Sequence, residues 1–336
     1  MKKTLLYFIT VPIILFGNEA GGLSFLNIPP SGNSASLGNT MTADLFRPTS
    51  LLQNPANIWQ KSSHKFSFSY RSAAITQTSY INLFYGRKIK DLTFCLGVVQ
   101  YGIKKIEEYD NEANFLGYFN FQNWAIALGT SWRASGMLFG LGISGITQDF
   151  TQIAHERENF IGLDIGITMM DLLYKNNYDF DILNKVDLTV SYVNKLMFTM
   201  PEFTQVSSAS SNNILGFKAL VRQNSFSFAI YSDLVINTNT EMVTWRAGLQ
   251  PQINFKYEMI KKAGLNVGVN RLPLNRSEDI YKDNFSEYSR KYSIGGFFEF
   301  LLPVIRQKIL INYAYELHKI LPESHYITVE FIFEGK

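Results

Sequence analysis

With one cysteine and four histidines in 336 residues, the chain has little of the chemistry that builds disulfides, metal centres or nucleophilic sites. The lone thiol, Cys95, lies inside an alternating apolar pattern and reads as a buried or lipid-facing filler rather than a reactive group. His64, His155, His318 and His325 show no H-E-x-x-H or Cys/His metal spacing. His155 with Glu156 and Glu158 reads as a solvated loop, and no histidine falls mid-strand on a polar face. No enzyme, metal or cofactor is expected. Charged residues are only 18% and the formal net charge is +3, with no basic patch, so nucleic acid is not an expected partner. Beyond the N-terminus there is no run of about eighteen apolar residues, which excludes conventional membrane-spanning helices. Mean hydropathy is −0.03, which suits neither a helical membrane protein nor a very polar soluble one.

What the chain does have is aromatic residues, 15% of the total, arranged with period two. A length of 336 residues fits two soluble domains or one large β-barrel, and the pattern separates them. From Lys65 onward, segments of about nine to eleven residues each carry one apolar face. Phe66, Phe68 and Tyr70 open the series, and Ile81, Leu83 and Tyr85 follow. Trp124, Ile126 and Leu128, then Ile161, Leu163 and Ile165, continue it, and Ile327, Val329, Phe331 and Phe333 close it. The opposite faces are polar or small: Ser67, Ser69 and Arg71; Asn266, Gly268 and Asn270; Asn312 and Glu316; Thr328 and Glu330. A soluble β-sandwich would look similar strand by strand. Tyr and Trp near the ends of the apolar faces, with isolated charges mid-way along the other face, favour a barrel in a membrane. The expected fold class is all-β: a transmembrane antiparallel β-barrel of about fourteen strands with an N-terminal plug.

Loop lengths carry the same message. Connections after odd-numbered strands are long, roughly 103–121, 148–159, 195–213 and 271–289, whereas 88–91, 133–136 and 222–224 are short. Residues 169–185 are the exception and are long enough for a short amphipathic helix. The last strand ends in the aromatic Phe333, the type of signal that barrel-assembly machinery reads, although Glu334, Gly335 and Lys336 follow it.

The start of the chain supplies an address and a filler. Lys2-Lys3 followed by Leu5 to Phe16 reads as a signal peptide, which assigns 1–20 to export. Residues 21–64 are broken by Pro29-Pro30, Gly32, Gly38, Pro48 and Pro55, yet carry Leu23, Phe25, Leu26, Leu37, Met41, Leu51, Ile58 and Trp59, which need burial. Such a segment suits the inside of the barrel formed by 65–333. Asn54 is a good helix N-cap and Pro55 suits the first helical position, so a short turn is expected there.

These motifs also carry a resemblance. Phe25-Leu26, the run Ser34-Ala35-Ser36-Leu37-Gly38, and Asn54-Pro55-Ala56 resemble the N-terminus of the PorV/PorQ and FadL-like outer-membrane family. That family shows Phe-Leu, an R-A-x-G-M-G run and N-P-A; here the Arg is absent and Leu37 replaces Met. Gly162-Leu163-Asp164-Ile165-Gly166 resembles the family's G-L-D-x-G strand. Uncharacterised spirochaete proteins of the same fold are similar too. The resemblance implies an outer-membrane barrel with a plugging or gating role for Phe25, Leu26, Leu37, Gly38, Asn54 and Pro55. It implies either uptake of hydrophobic molecules such as long-chain fatty acids or a PorV-like shuttle that holds secreted cargo proteins in type IX secretion. Partners would be outer-membrane lipid and a hydrophobic small molecule, or secreted cargo.

Two further stretches stand out. Leu196, Met197, Phe198, Met200 and Phe203 are expected in an outer loop, where flexible apolar residues suit a hydrophobic ligand or simply fold the loop over the barrel mouth. Asp179, Asp181 and Asp187 are spaced like calcium ligands but lack the Gly and distal Glu of an EF-hand loop, so a solvated loop is the expectation.

Overall fold

The structure is a computed structural model. It describes residues 28–334, except 74–77, 110–114, 151–155, 171–184, 200–207, 224, 238–242, 258, 274–290, 303–306 and 319–322. The signal segment, Phe25 and Leu26 therefore lie outside the described residues, as do Met200, Phe203, His155, Asp179 and Asp181.

Alternation of side chains across each strand builds the wall. The strands are β1 (His64–Ala73), β2 (Thr78–Ile89), β3 (Leu92–Tyr109), β4 (Phe115–Ala134), β5 (Met137–Phe150), β6 (Glu156–Met169) and β7 (Lys185–Thr199). They continue as β8 (Ser208–Gln223), β9 (Phe226–Asn237), β10 (Val243–Asn254), β11 (Ile260–Pro273), β12 (Lys291–Leu302), β13 (Gln307–His318) and β14 (Ser324–Phe333). Neighbours pair antiparallel around a closed barrel, and β1 returns to β14 in a register running from His64↔Phe333 to Ser72↔His325. Closure leaves no strand edge along the seam, which a wall surrounded by hydrocarbon requires.

The outward face is the one the alternation assigns. Phe68, Tyr70, Leu83, Tyr85, Leu96, Ile126, Leu128, Ile143, Ile165, Val267, Ile294, Ile311 and Ile327 all point away from the lumen and are exposed. Ser67, Ser69, Asn266, Asn270, Asn312, Thr328 and Glu330 are buried on the other side. Short turns join β2 to β3 and β4 to β5. Ile89 pairs with Leu92, and Ala134 pairs with Met137 around Ser135-Gly136, where positive φ at both residues matches a type I′ hairpin.

Two expectations about connections need correction. The 103–121 connection is mostly strand: β3 and β4 stay paired to Tyr109↔Phe115, beyond the last β2 partner (Thr78↔Ile103) and the last β5 partner (Gln122↔Asp149). Beyond those partners the two strands form a projecting arm. The twenty residues of β4 reach about 65 Å at roughly 3.3 Å per residue, far more than a ~25 Å apolar band needs. Likewise Leu196, Met197 and Phe198 are not loop residues but the end of β7, paired with Leu163, Gly162 and Ile161. The strand runs on through them because no backbone breaker follows Lys195 before Pro201. Of the stretch 169–185 expected to hold a helix, Met169 ends β6 and Lys185 begins β7, and 171–184 lie outside the described residues.

Residues 28–60 lie inside the barrel. They hold a one-turn helix, α1 (Gly32–Ser36), and 3-10 turns at Pro48–Leu52 and Pro55–Ile58. The wall admits this backbone at glycines. A Cβ on Gly140 would stand 2.1 Å from the Ala56 amide nitrogen, and one on Gly268 would stand 2.1 Å from the Gly38 nitrogen. Gly38 itself has φ +67, so it needs glycine for its conformation as well as for its closeness to Val269. Gly140→Val is therefore expected to displace residues 54–59 while leaving the barrel closed. Planar-bilayer recordings should show a several-fold higher conductance with unchanged heat-modifiable mobility on gels, and wild-type conductance would contradict this.

Candidate functional site

The site is the lumen with the segment inside it, and its two sides differ in chemistry. The Asn-Pro-Ala turn is built as the local sequence dictates. Asn54 Oδ1 accepts from the Ala56 N–H at 3.0 Å, and Pro55 opens the turn. Asn54 Nδ2 donates to the Thr42 carbonyl (3.0 Å) and to Thr168 Oγ1 (3.2 Å), while Asn57 Nδ2 donates to the same carbonyl at 2.6 Å. A Cβ on Gly166 would lie 2.0 Å from Asn54 Oδ1. The G-L-D-x-G strand and the N-P-A turn thus meet face to face.

α1 is held on the opposite side of the lumen. Ser31 caps it, and the Gly32 N–H donates to Thr328 Oγ1 at 2.7 Å. Asn33 Oδ1 accepts from Gln250 (3.2 Å) and Asn266 (3.1 Å). Leu37 is fully buried with Met41 and Tyr231. Thr42 donates through N and Oγ1 to Asp233 Oδ2 at 3.2 and 2.6 Å.

Between these two anchors runs a chain of charges. Lys218 Nζ meets Asp44 Oδ1 at 2.6 Å, Asp44 Oδ2 meets Arg47 Nε at 2.8 Å, and Arg47 Nη1 meets Glu330 Oε1 at 2.8 Å. Lys65 adds a hydrogen bond to the Phe46 carbonyl. The segment is thereby tied to β8, β14 and β1. Burial alone would raise the Asp44 carboxyl, but Lys218 and Arg47 outweigh it and hold the group below its ordinary 3.8. Burial would lower the Arg47 guanidinium, yet Glu330 and Asp44 raise it.

The other side of the lumen is apolar. Tyr80, Phe84, Cys95, Val99, Ala125, Ala127, Ile146 and Phe160 from β2–β6 form one buried cluster with Leu51, Leu52 and Ile58 of the segment. The expectation that the inner faces are all polar or small fails here. From this cluster an aromatic ladder rises toward the long-loop end, with Tyr80 to Tyr101 at 6.5 Å and Tyr101 to Phe121 at 6.4 Å between ring centroids, both edge-on. On the arm, Ile103 and Phe121, then Ile106 and Phe119, extend the same face. At the other end Trp59 lies beneath Lys88 and Arg133, 4.9 and 5.7 Å from its ring centroid.

Of the expected ligand-binding residues, Met197 packs on the lumen cluster, and alternation turns Leu196 and Phe198 outward beside Leu163 and Ile161. Cys95 is buried in the cluster with Sγ 3.5 Å from the Pro48 carbonyl, as a filler. Asp187 pairs with Arg222 at 3.1 Å, and among the described residues no cluster of His, Cys, Asp or Glu could hold a metal. The sequence signal for the apolar wall was doubled apolar residues: Phe84 between Leu83 and Tyr85, Val98-Val99, and Phe160-Ile161. Such runs mark strands buried on both faces.

No protein-family model and no curated protein matches the chain. Among solved structures, a Pseudomonas aeruginosa FadL homologue superposes with a TM-score of 0.50 at 10% identity, over 91% of this chain and 98% of that chain. A deltaS2S3 mutant of the monoaromatic hydrocarbon channel TodX gives 0.50 at 12% identity, over 91% and 99%. The fold is that of FadL-type barrels. At such identity the likeness speaks for the architecture alone.

The charge chain has a pH consequence. A carboxylate lowered in the folded state contributes stability that is complete above its unfolded value, 3.8, and is lost as pH falls through the depressed value. Protease protection of residues 28–60 should therefore hold from neutrality to about pH 5 and fall below 3.8. Asp44→Asn should remove that acid step and weaken docking by about 3 kcal/mol, because Lys218 and Arg47 are left without their partner. Protection that is the same in wild type and variant at every pH would contradict the role given to Asp44.

Proposed function

We propose that the chain is an integral outer-membrane barrel that takes up hydrophobic small molecules, with long-chain fatty acids as the leading class, and performs no chemical step. The observation that carries this reading is the apolar lumen wall joined to an aromatic ladder that reaches the long-loop end. A barrel that only sealed the membrane would have no need of that surface beside a segment already fixed on its polar side. The outward apolar belt supports a membrane location, and residues 1–20 supply the export signal to reach it. Barrel-assembly machinery would insert the chain, reading the strand that ends in Phe333. The TodX barrel is described as a monoaromatic hydrocarbon channel, and the shared architecture makes hydrophobic cargo a consistent assignment.

In this reading a ligand partitions onto the arm, descends the Tyr101–Tyr80 ladder and reaches the cluster around Phe84 and Ile146. Passage onward requires residues 48–60 to yield, since Leu51, Leu52 and Ile58 pack against that cluster. The plugging role expected of Phe25 and Leu26 and the ligand-binding role expected of Met200 and Phe203 belong to the same reading.

Replacing Tyr101 and Phe121 together by Ser tests the path. Each change removes on the order of 1.5 kcal/mol of apolar contact, so binding of a fluorescent fatty acid to the purified barrel should weaken tenfold or more. Unchanged binding would remove the ladder from the path. A barrel that binds no apolar molecule but co-purifies with secreted proteins would replace uptake by a cargo-holding role.

A further inference from the structure

We infer that the lumen mouth at the β2–β3 and β4–β5 turns docks a soluble carrier protein through an acidic surface, with Lys88 and Arg133 over Trp59 as its contact cations. This rests on the uptake reading and adds the step that must follow it. An apolar molecule leaving the lumen past residues 48–60 meets water, which it does not enter freely, so a protein has to receive it there.

An aromatic pair closes this mouth. Trp59 and Phe46 pack with ring centroids 5.6 Å apart, and Ala56 and Leu138 are buried beside them. Alternation turns Lys88 and Arg133 toward the lumen, in step with the buried Phe84 and Ala127. Both lie over the same indole, 4.9 and 5.7 Å from its centroid, and Lys61 lies over Phe46 at 5.9 Å. Lys90 is exposed in the β2–β3 turn. Among the described residues no carboxylate forms an ion pair with any of these four cations, and Asp91 is the one acid in the two turns. Elsewhere on the same rim Arg222, Lys262 and Lys308 do have partners, in Asp187, Glu299 and Glu334. Trp59 Nε1 adds a buried donor without an acceptor.

The placement of the charge points to a partner that approaches along the barrel axis. Lipid headgroups around the wall reach Arg87, which faces outward beside the exposed Phe94, but not cations turned into the mouth. Charges of one sign gathered over a closed, apolar floor concentrate their field in front of the mouth, which speeds encounter with a surface of opposite sign and fixes its orientation. An acidic surface would relieve the repulsion between Lys88 and Arg133 and sit directly over the turn from which a ligand leaves. A role confined to packing on Trp59 predicts that the mouth attracts an acidic chain no more than Lys256, an exposed cation at the β10–β11 turn, does.

Fluorescence anisotropy of a labelled polyglutamate peptide added to the purified full-length barrel in uncharged nanodiscs separates these possibilities. Wild type should bind it about tenfold more tightly than a glycine–serine peptide of equal length at about 50 mM salt, and the gap should shrink several-fold at about 300 mM. The double variant Lys88→Glu, Arg133→Glu should lose about tenfold in affinity, whereas Lys256→Glu and Arg87→Glu should each change it less than about twofold. Equal affinities for the two peptides in wild type, a comparison that needs no variant to fold, would overturn the inference. An equal loss in Lys256→Glu or Arg87→Glu would also overturn it, by assigning the attraction to the rim at large or to its lipid-facing side. In either case a barrel that still binds a fluorescent fatty acid leaves the uptake reading standing. A barrel that binds the peptide but no apolar molecule would remove the need for a carrier and overturn both.

Discussion

A fourteen-stranded barrel encloses more space than its own inward side chains can fill, since about eight strands already suffice for a packed interior. Everything else in this protein answers to that excess of volume. Residues 28–60 occupy it, and a chain brought inside a barrel must find partners for its backbone and its charges. The wall provides them: Thr328 for the Gly32 N–H, Asp233 for Thr42, and Lys65 for the Phe46 carbonyl. It also gives way sterically, with Gly140 and Gly166 on one side and Gly268 on the other where the segment's backbone presses closest.

The division of labour between the two sides follows. On β8–β14 the segment is held by directional bonds and by the Lys218–Asp44–Arg47–Glu330 chain, which resist small displacements. Against β2–β6 it is held largely by contact of Leu51, Leu52 and Ile58 with the apolar wall, reinforced by Asn54 and Asn57 at Thr168. Apolar contact is non-directional, so a hydrophobic ligand can substitute for it with little net loss. In the uptake reading proposed above, the apolar side is where a ligand would compete with the segment, while the polar side would keep the segment in place.

The outer face was legible in the sequence because one rule, an apolar side chain at every second position, holds along the outside of every strand, and Phe68, Leu83, Ile126 and Ile327 obey it. The strand number and the Asn54-Pro55 turn were equally accessible, the latter because capping is local chemistry. The β3–β4 arm was not, because beyond the membrane neither face is required to be apolar and Asn120 and Gln122 blur the alternation. For the same reason Leu196 to Phe198 were placed in a loop that begins later. Partners of the charge chain lie 174 and 283 residues apart, and no spacing rule links Asp44 to Lys218 or Arg47 to Glu330. The apolar half of the lumen left a trace, the paired apolar residues of β2–β6, but it emerges only when both faces of a strand are weighed.

The most direct measurement is mass spectrometry of small molecules retained by the barrel when it is purified from outer membranes in mild detergent. A lumen half lined by Phe84, Val99, Ile146 and Phe160 should retain a stoichiometric apolar or amphiphilic molecule, depleted when Ile146 is replaced by a charged residue. A barrel that emerges empty, and stays empty when supplied with fatty acids or monoaromatic hydrocarbons, would contradict the account.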